Sequence, residues 1–258
     1  MAYAIVTGAS SGIGLEFARI FASDNINVVM VSRNEKLLLQ KAEEVRIDFG
    51  VDVITIAKDL SNSESVVEIY NDIKRRNIEI EYLINNAGFG DVGRLVSTKW
   101  EKQKKMIDVN IISLTYLTRL FLPDMMRRGH GRILNVASTA AFQPGPFMSV
   151  YYASKAFVLS FSEAIAYEAK GSGVKVTTLC PGPTKSNFQI AASMGNIKLV
   201  DRNMASASEV AMYGYKAMLK GKRLVIHGMT NRIVAICVKF LPRSIVMYIV
   251  TKLHESRG

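Results

Sequence analysis

The sequence predicts an α/β fold in which helices pack on a parallel sheet, formed as a single domain of 258 residues. Short runs rich in β-branched residues alternate with longer segments of helical periodicity, and this alternation is typical of a parallel sheet. No internal repeat, low-complexity tract or interdomain linker interrupts the pattern. The 49% of hydrophobic residues suffice for the core of one large domain, and we expect no second one.

Seven runs are predicted to be strands, and helices fill the intervals. The runs are residues 3–7, 27–31, 52–57, 82–85, 132–137, 174–180 and 224–227. Three helix starts carry the pattern of a capping box, in which a hydroxyl and a carboxylate three residues later satisfy free backbone N–H groups. The pairs are Ser61 with Glu64, Thr98 with Glu101, and Ser206 with Glu209.

The longest stretch without a predicted element runs from about residue 181 to residue 205. A loop of that length in a compact domain is often a lid or a substrate-binding segment. We therefore predict a substrate loop at residues 183–205. Candidates for an apolar pocket, for which plain packing is the more common use, are Phe142, Phe147, Phe188 and Met194.

A glycine-rich turn follows the first predicted strand. The segment TGASSGIG at residues 7–14 places Gly8, Gly12 and Gly14 between that strand and a helical pattern from Leu15. Glycines let the backbone approach a pyrophosphate at a helix N-terminus, where free N–H groups and the dipole favour anions. The spacing G-x-x-x-G-x-G alone is a weak signal, because ordinary turns also use glycines. Its strand–turn–helix setting favours a dinucleotide site.

The end of the second predicted strand bears on the choice of cofactor. A fold that binds NAD usually has an acid here for the ribose 2′-hydroxyl, yet the strand ends in Val31-Ser32-Arg33. Arg33 suits a 2′-phosphate, and the small Ser32 stands where an acid would block it. We therefore predict that NADP (NADPH) is preferred over NAD. A solvated arginine at a helix start is the competing interpretation of Arg33.

Tyr151 and Lys155 lie four residues apart in the segment SVYYASKAF. On a helix, positions i and i+4 share a face, so the phenol and the ammonium point into one space. A free tyrosine titrates near ~10, and a positive charge nearby favours the phenolate, which brings proton exchange closer to neutral pH. The pair is therefore a candidate proton donor. Tyr152, three residues before Lys155, competes for the role.

The order of these motifs resembles that of the short-chain dehydrogenase/reductase family over nearly the whole chain. The resemblance implies a doubly wound (Rossmann) sheet of seven parallel strands with helices on both faces. The segments FQPGPFMSVYYASKAFVLSFSEA and LPRS are similar in texture to a bacterial subgroup of general ketoreductases. The motifs that carry the family likeness are TGASSGIG, Asp59-Leu60, NNAG at 85–88, Asn110, Ser138, Tyr151-x-x-x-Lys155 and Pro181-Gly182.

The resemblance also implies a nicotinamide cofactor and a catalytic tetrad. In such a tetrad Tyr151 supplies the proton and Ser138 hydrogen-bonds the carbonyl oxygen as negative charge develops on it. Lys155 holds the nicotinamide ribose and biases Tyr151 toward ionisation, Asn110 anchors a water relay, and Asp59 contacts the adenine. The expected cofactor-binding residues are Gly8, Ser10, Ser11, Gly12, Ile13, Gly14, Arg33, Asp59, Leu60, Asn86, Ala87, Gly88, Tyr151, Lys155, Pro181, Gly182 and Thr184.

We therefore predict NADPH-dependent reduction of a small carbonyl substrate that is apolar in character, reversible as alcohol oxidation, by a homodimer or homotetramer. The alternative from another class is a nucleotide-sensing or scaffold protein that has lost turnover. Such proteins usually lack the tyrosine or the lysine, and here both are present. The scattered residues His130, His227 and His254 form no metal-ligand constellation, so no metal is expected.

The net charge of +11 is concentrated near the C-terminus, where residues 216–258 hold nine Lys and Arg against one acid, Glu255. Residues 229–258 are predicted to be a basic amphipathic extension whose apolar runs are too short to span a membrane. Three uses compete: covering the active site or another chain, lying on an anionic membrane, or packing on the body. We rank packing or a subunit contact first. No nucleic-acid-binding motif is present, so we expect no nucleic acid partner.

The N-terminus reaches a strand pattern without a charged n-region or a cleavage site. We therefore expect a cytoplasmic protein whose membrane contact, where it has one, is peripheral. Cys180 and Cys237 both lie in apolar runs, which favours buried small side chains over a disulfide or a metal pair.

Overall fold

The structure is a computed structural model that describes residues 2–185 and 204–255. A π-helical turn (Asp108–Ser113) and a 3₁₀ helix (Thr139–Phe142) accompany the regular elements. The strands are β1 (Tyr3–Thr7), β2 (Asn27–Ser32), β3 (Val53–Ala57), β4 (Ile80–Asn85), β5 (Gly131–Val136), β6 (Val174–Cys180), β7 (Thr184–Lys185), β8 (Ala205–Ser206) and β9 (Leu224–Ile226). The α-helices are α1 (Gly12–Ser23), α2 (Glu35–Phe49), α3 (Ser63–Arg75), α4 (Trp100–Ile107), α5 (Leu114–Arg128), α6 (Ser149–Glu168), α7 (Ala207–Leu219), α8 (Met229–Cys237) and α9 (Arg243–Glu255).

Seven strands form one sheet in the order β3-β2-β1-β4-β5-β6-β9, and every pairing in that sheet is parallel. The predicted doubly wound α/β fold is therefore confirmed, and the seven predicted strands are the strands of this sheet. The strand order reverses between β1 and β4, which are neighbours in the sheet but not in the chain. At such a switch point the connecting loops diverge and open a crevice at the carboxyl edge of the sheet.

Different helices cover the two faces of the sheet. Successive side chains of a strand point to opposite faces, so Ala4 and Val6 of β1 join one core cluster and Ile5 joins the other. The first cluster includes Phe17 of α1 and side chains of α2 and α7, and the second includes Phe121 of α5 and side chains of α3 and α6. Burial on both faces explains why the strands are apolar runs without strict alternation.

Some local features differ from the sequence predictions. The strands β7 and β8 pair in parallel as a separate sheet, which the sequence did not reveal because two residues carry no periodicity. They flank the predicted substrate loop, whose residues 186–203, including Phe188 and Met194, lie outside the described residues. Cys180 is buried as predicted, whereas Cys237 is exposed because it lies on the outer side of α8.

The capping box predicted at the start of α7 is present. Ser206 Oγ accepts a hydrogen bond from Glu209 N at 3.1 Å, and Glu209 Oε2 accepts one from Ser206 N at 2.8 Å. The prediction for Ser61 is wrong by one residue, because Asn62 caps α3 and its Oδ1 accepts from Glu64 N at 3.0 Å. An asparagine caps a helix as well as a serine does, so adjacent residues of both types leave the boundary open.

The capping box predicted at Thr98 is also wrong. The N-cap of α4 is Lys99, which makes no side-chain capping bond. The Thr98 hydroxyl instead donates to the Leu95 carbonyl at 3.2 Å. The helix thus begins one residue later than the predicted capping box requires.

The helices α8 and α9 follow the last strand of the sheet. α8 packs against β9 and the 3₁₀ helix, and Ala235 is the one fully buried residue within it. Among the residues that the structure describes, no helix is both long and apolar enough to cross a membrane.

We predict that Asn62→Ala destabilises the protein by about 1 kcal/mol, the typical effect of losing an N-cap, and that Ser61→Ala has a smaller effect. The shift of the urea unfolding midpoint, followed by circular dichroism, measures both changes. A larger shift of the midpoint for Ser61→Ala than for Asn62→Ala would show that Ser61 is the N-cap of α3.

Candidate active site

A cleft with a volume of about 530 Å³ opens at the carboxyl edge of the sheet. Parallel strands all end at this edge, so the loops that follow β1 to β6 contribute to its lining, together with α6. The predicted site residues that line it are Gly8, Ser10, Ser11, Gly12, Ile13, Arg33, Asp59, Leu60, Asn86, Ala87, Gly88, Ser138, Tyr151, Lys155, Pro181, Gly182 and Thr184. Gly14 and Asn110 do not line the cleft.

The turn after β1 brings the N-terminus of α1 to the cleft. Gly8 has a φ of +68°, a left-handed conformation that favours glycine. A Cβ atom on Gly14 would collide with the Gly8 carbonyl oxygen and lie 2.5 Å from Asn86 Nδ2, so Gly14 serves packing rather than lining. Ser11, the N-cap of α1, makes no capping bond through its side chain. The N–H groups of the first helical turn are thus open to an anion, and this end of the cleft fits a dinucleotide pyrophosphate.

The loop after β4 is tied to the end of β1. Thr7 Oγ1 accepts hydrogen bonds from the backbone N of Asn86 and of Ala87, each at 2.9 Å. Asn86 Nδ2 donates to the Thr7 carbonyl, also at 2.9 Å. Sequence reasoning missed this role of Thr7, although a hydroxyl that ends an apolar strand directly before a glycine turn is a usable signal.

Two basic side chains, Arg33 and Lys58, line the cleft after β2 and β3. Lys58 Nζ lies 2.5 Å from Glu68 Oε2, so its charge is already paired. Arg33 is exposed and forms no salt bridge within the described part of the chain. Of the two, Arg33 is therefore the better placed to pair with an anionic ligand.

Neighbouring polar groups complete this part of the cleft. Ser32 Oγ lies 2.8 Å from Ser10 Oγ, which joins the end of β2 to the glycine-rich turn. Asp59 Oδ1 accepts a hydrogen bond from Ser61 N at 2.9 Å. Burial raises the pKa of Asp59, but the hydrogen bonds from Ser61 and the charge of Arg33 outweigh it and leave the pKa below its ordinary value. Asp59 therefore remains a carboxylate.

Ser138, Tyr151 and Lys155 meet where β5 and α6 border the cleft. Ser138 caps the 3₁₀ helix, accepting a hydrogen bond from Ala140 N at 3.1 Å, and its side chain is hydrogen-bonded to Tyr151. Lys155 Nζ lies 5.9 Å from the centroid of the Tyr151 ring and donates to the Val136 carbonyl at 2.9 Å. The spacing of four residues thus places the phenol and the ammonium on one face of α6.

Burial dominates the ionisation of both groups. It raises the pKa of Tyr151 to about 12, and the hydrogen bond from Ser138 offsets only part of that rise. It lowers the pKa of Lys155 to about 8. The sequence-based expectation of a pKa closer to neutral for Tyr151 is therefore wrong for this structure, because the free energy of desolvating a phenolate outweighs the stabilisation that the hydrogen bond from Ser138 gives it.

Asn110 is fully buried in the π-helical turn between α4 and α5. Its Oδ1 accepts from Phe89 N at 3.1 Å, and its Nδ2 donates to the Phe89 carbonyl and to Ser154 Oγ, each at 3.0 Å. Ser154 Oγ donates in turn to the Tyr151 carbonyl at 2.7 Å. Asn110 thereby fastens the loop after β4 to the helix that carries Tyr151 and Lys155. Sequence reasoning missed Ser154 and Phe89, whose contacts depend on the tertiary structure alone.

The cleft wall beside Tyr151 is apolar. Phe89, Met148 and Tyr152 line it, and all three belong to the same small apolar cluster as Tyr151. The rings of Tyr151 and Tyr152 meet edge to face with centroids 6.1 Å apart. This environment suits an apolar ligand better than a charged one.

Phe142 and Phe147 do not line the cleft. Phe142 packs on a core cluster that contains Leu114 and Val158. Phe147 borders a small separate hollow beside Met106. For these two phenylalanines, the packing alternative is the one that agrees with the structure.

Comparisons with known proteins agree with this architecture. A family model described as short chain dehydrogenase matches residues 2–196. The very-long-chain 3-oxoacyl-CoA reductase of Mus musculus is 31% identical over 260 residues, covering 95% of this chain and 78% of the mouse protein. The protein of the same name from Anas platyrhynchos is 36% identical over 206 residues, covering 76% of this chain and 62% of the duck protein.

A solved structure adds a likeness of fold. The short-chain dehydrogenase from Sphingobium yanoikuyae in complex with NADPH has a TM-score of 0.83 to this chain at 28% identity, and the match covers 92% of each chain. The family match includes the glycine-rich turn, Ser138, Tyr151 and Lys155. The chain therefore belongs to the short-chain dehydrogenase/reductase family, and it is an oxidoreductase that uses a nicotinamide cofactor and acts on hydroxyl or carbonyl groups.

Proposed function

We propose that the protein reduces a carbonyl substrate with NADPH, reversibly, and that Tyr151 is the proton donor. One observation carries this proposal: Tyr151, hydrogen-bonded to Ser138 and beside Lys155, lines the same cleft as the N-terminus of α1. A sensing or scaffold protein needs no proton donor. Keeping the lysine buried costs free energy, which favours a chemical use of the group over that alternative.

The cofactor would be held by the two halves of the cleft. The glycine-rich turn and the N-terminus of α1 would receive the pyrophosphate, because open N–H groups and the helix dipole favour anions. Asp59 and Leu60 would border the adenine. When bound, the nicotinamide supplies or accepts the hydride. The residues proposed to border the nicotinamide half of the cofactor are Asn86, Ala87, Gly88, Tyr151, Lys155, Pro181, Gly182 and Thr184.

Side chains of the protein donate the proton and stabilise the negative charge that develops on the carbonyl oxygen. With substrate bound, the Ser138 hydroxyl, whose oxygen is held by Ala140 N, donates to the carbonyl oxygen that gains negative charge during reduction, in place of its hydrogen bond to Tyr151. Tyr151 stays protonated because its pKa is raised to about 12, and it transfers its proton to that oxygen. Lys155, while charged, stabilises the phenolate that remains. General acid catalysis of this kind contributes roughly 10²–10⁴ in rate.

We propose Asn110 as a positioning residue. It donates through Nδ2 to two acceptors and accepts through Oδ1 from one donor, so one lone pair of Oδ1 is left for a further donor. The water relay through Lys155 that the family resemblance implies stays a prediction, and it would have to use that lone pair.

We further propose that the substrate carries its carbonyl on an apolar body. The wall formed by Phe89, Met148 and Tyr152 beside the proton donor supports this, as do the names of the mouse and duck relatives, which are very-long-chain 3-oxoacyl-CoA reductases. A panel of ketones and 3-oxoacyl thioesters, each assayed with NADPH and with NADH, tests substrate class and cofactor together. Assembly as a homodimer or homotetramer stays a prediction.

We predict that Tyr151→Phe lowers the rate of carbonyl reduction by roughly 10²–10⁴, because no other group supplies the proton, while cofactor binding is kept. Tyr152→Phe, which removes a hydroxyl from the same cleft, is the matched control and should change the rate only a few-fold. Steady-state rates and a fluorescence titration with NADPH separate the two effects. If Tyr152→Phe were the more damaging change, Tyr151 would not be the acid.

The preference for NADPH is proposed to come from Arg33. We predict that Arg33→Ala weakens NADPH by about 10- to 150-fold, the worth of a charge-assisted hydrogen bond, and leaves NADH nearly unchanged. Ser32→Asp should go further, because a carboxylate repels the 2′-phosphate. Lys36→Ala, an exposed base of α2 outside the cleft lining, is the control. Equal affinities of the unmodified protein for the two cofactors would refute the preference.

The ionisation of Lys155 predicts a dependence on pH. With its pKa lowered to about 8, Lys155 is charged below that pH and loses its proton as the pH rises through it. We expect kcat/KM for NADPH, which reports groups of the free enzyme, to fall above pH 8 with a single ionisation. Lys155→Arg, which keeps its charge, should lack that step in whatever activity it retains. A profile of the unmodified enzyme that stays flat up to about pH 10 would contradict the assignment.

A further inference from the structure

The C-terminal segment exposes most of its large apolar side chains. Within the described residues, ten of the 22 exposed large hydrophobic residues fall between residues 229 and 249. Exposed apolar side chains that are concentrated in one part of a protein surface mark a site of interaction. We use the name C-terminal face for the surface formed by Met229, Ile233, Val234, Ile236, Phe240, Leu241, Ile245, Met247, Tyr248 and Ile249.

α8 has an inner stripe and an opposite outer stripe. Ala235 is buried, and Asn231 lies in the same row one turn earlier, next to Gly182 of the cleft wall. Met229 and Ile233 lie in a row turned by about 200° from Asn231, and 71% of Met229 is exposed. The helix therefore packs on the body through one narrow row and presents apolar side chains outward.

α9 repeats this arrangement. Val246 and Val250, spaced by four residues, are buried. Ile245, Tyr248 and Ile249 lie on another side of the helix, and 66% of Tyr248 is exposed. A helix that is apolar on more than one side is usually buried among other apolar groups. The outer side of α9 therefore also has apolar side chains that no other part of the described chain covers. Between the two helices, Phe240 is 83% exposed.

Three basic side chains lie along this part of the chain. Arg232, Lys239 and Arg243 are exposed, and residues 229–243 contain no Asp or Glu. Exposed aliphatic and aromatic side chains rimmed by lysine and arginine are typical of helices that lie in the interface of an anionic membrane.

A second copy of the chain fits this face poorly. A two-fold contact places the same surface of both chains face to face. Arg232, Lys239 and Arg243 of one copy would then meet the same three basic side chains of the other. Like charges opposed in this way oppose association, whereas anionic lipid head groups complement them.

We propose that the C-terminal face docks the protein on an anionic lipid surface. α8 and α9 lie flat on the lipid, their outer apolar side chains enter the head-group region, and Arg232, Lys239 and Arg243 pair with lipid phosphates. α8 also packs against the 3₁₀ helix that begins after Ser138, and Asn231 abuts Gly182, so the docked surface adjoins the cleft. A lipid-soluble substrate would reach the cleft from the membrane side, a consequence that rests on the proposed function.

The docking itself is tested without any assay of turnover. The full-length protein is pelleted with vesicles of phosphatidylcholine alone and with vesicles that also contain phosphatidylglycerol, at low and at high salt. We expect binding to the anionic vesicles only, with loss at high salt. The triple variant Arg232→Glu, Lys239→Glu, Arg243→Glu should bind at least about 10²-fold more weakly, because each basic residue near the surface contributes about fivefold and each added glutamate is repelled. Ile233→Ser with Ile249→Ser should weaken binding roughly tenfold or more.

Matched controls lie elsewhere on the surface. Ile47→Ser removes an exposed isoleucine of α2, and Lys36→Glu reverses an exposed charge there, so neither should change vesicle binding. Circular dichroism and NADPH titration show that each variant is folded. Equal binding to both kinds of vesicle, or binding to neither, would overturn the proposal. A dimer in light scattering that Ile233→Ser with Ile249→Ser dissociates would assign the face to a second copy and overturn it too.

Discussion

The architecture of the cleft depends on how β1 and β4 are joined where the strand order reverses. The buried hydroxyl of Thr7 accepts from two consecutive amides of the loop after β4, and the Asn86 side chain returns a bond to the Thr7 carbonyl. Asn86 Nδ2 consequently lies within 3.0 Å of where a Cβ of Gly8 or Gly14 would stand. The glycine spacing is therefore required by the packing of two protein loops before any nucleotide enters. This explains why Gly14 belongs to the motif although it does not line the cleft.

A second constraint fixes the helix that carries the proposed proton donor. Asn135 Nδ2 donates to Ser162 Oγ at 2.8 Å, and Asn110 Nδ2 donates to Ser154 Oγ at 3.0 Å, so buried amides hold two points along α6. Asn85 Nδ2 extends the first contact by donating to Asn135 Oδ1 at 2.9 Å. A buried polar group without its partner is costly, so these bonds favour one rotation and one position of α6. The site is thus positioned from the buried side of the helix.

The sequence predicted those features of the structure that depend only on residues close together in the chain. The seven strands were predictable because each is an apolar run between turn residues, and Tyr151 with Lys155 because helical spacing alone sets their common face. Contacts between segments that are distant in the chain could not be predicted. Examples are the contact of Thr7 with Asn86 and that of Asn110 with Ser154. The cap of α3 was misplaced because Ser61 and Asn62 are both good caps, and only the tertiary course of the chain selects Asn62. The two-residue strands β7 and β8 carry no pattern at all.

The electrostatics of the site show most clearly what residue spacing leaves undetermined. Spacing places an ammonium near a phenol, and from that alone the phenol should ionise more easily. Burial acts on both groups at once and opposes the charged form of each, so the pKa of Tyr151 rises while that of Lys155 falls to about 8. A ligand in the cleft that accepts hydrogen bonds from the Lys155 ammonium stabilises its charged form and raises that pKa. By linkage, such a ligand binds more tightly where Lys155 is already protonated. Binding of a ligand in the cleft is therefore coupled to protonation of Lys155. The lysine is most fully charged when a ligand is bound, which is when its charge can stabilise the phenolate of Tyr151.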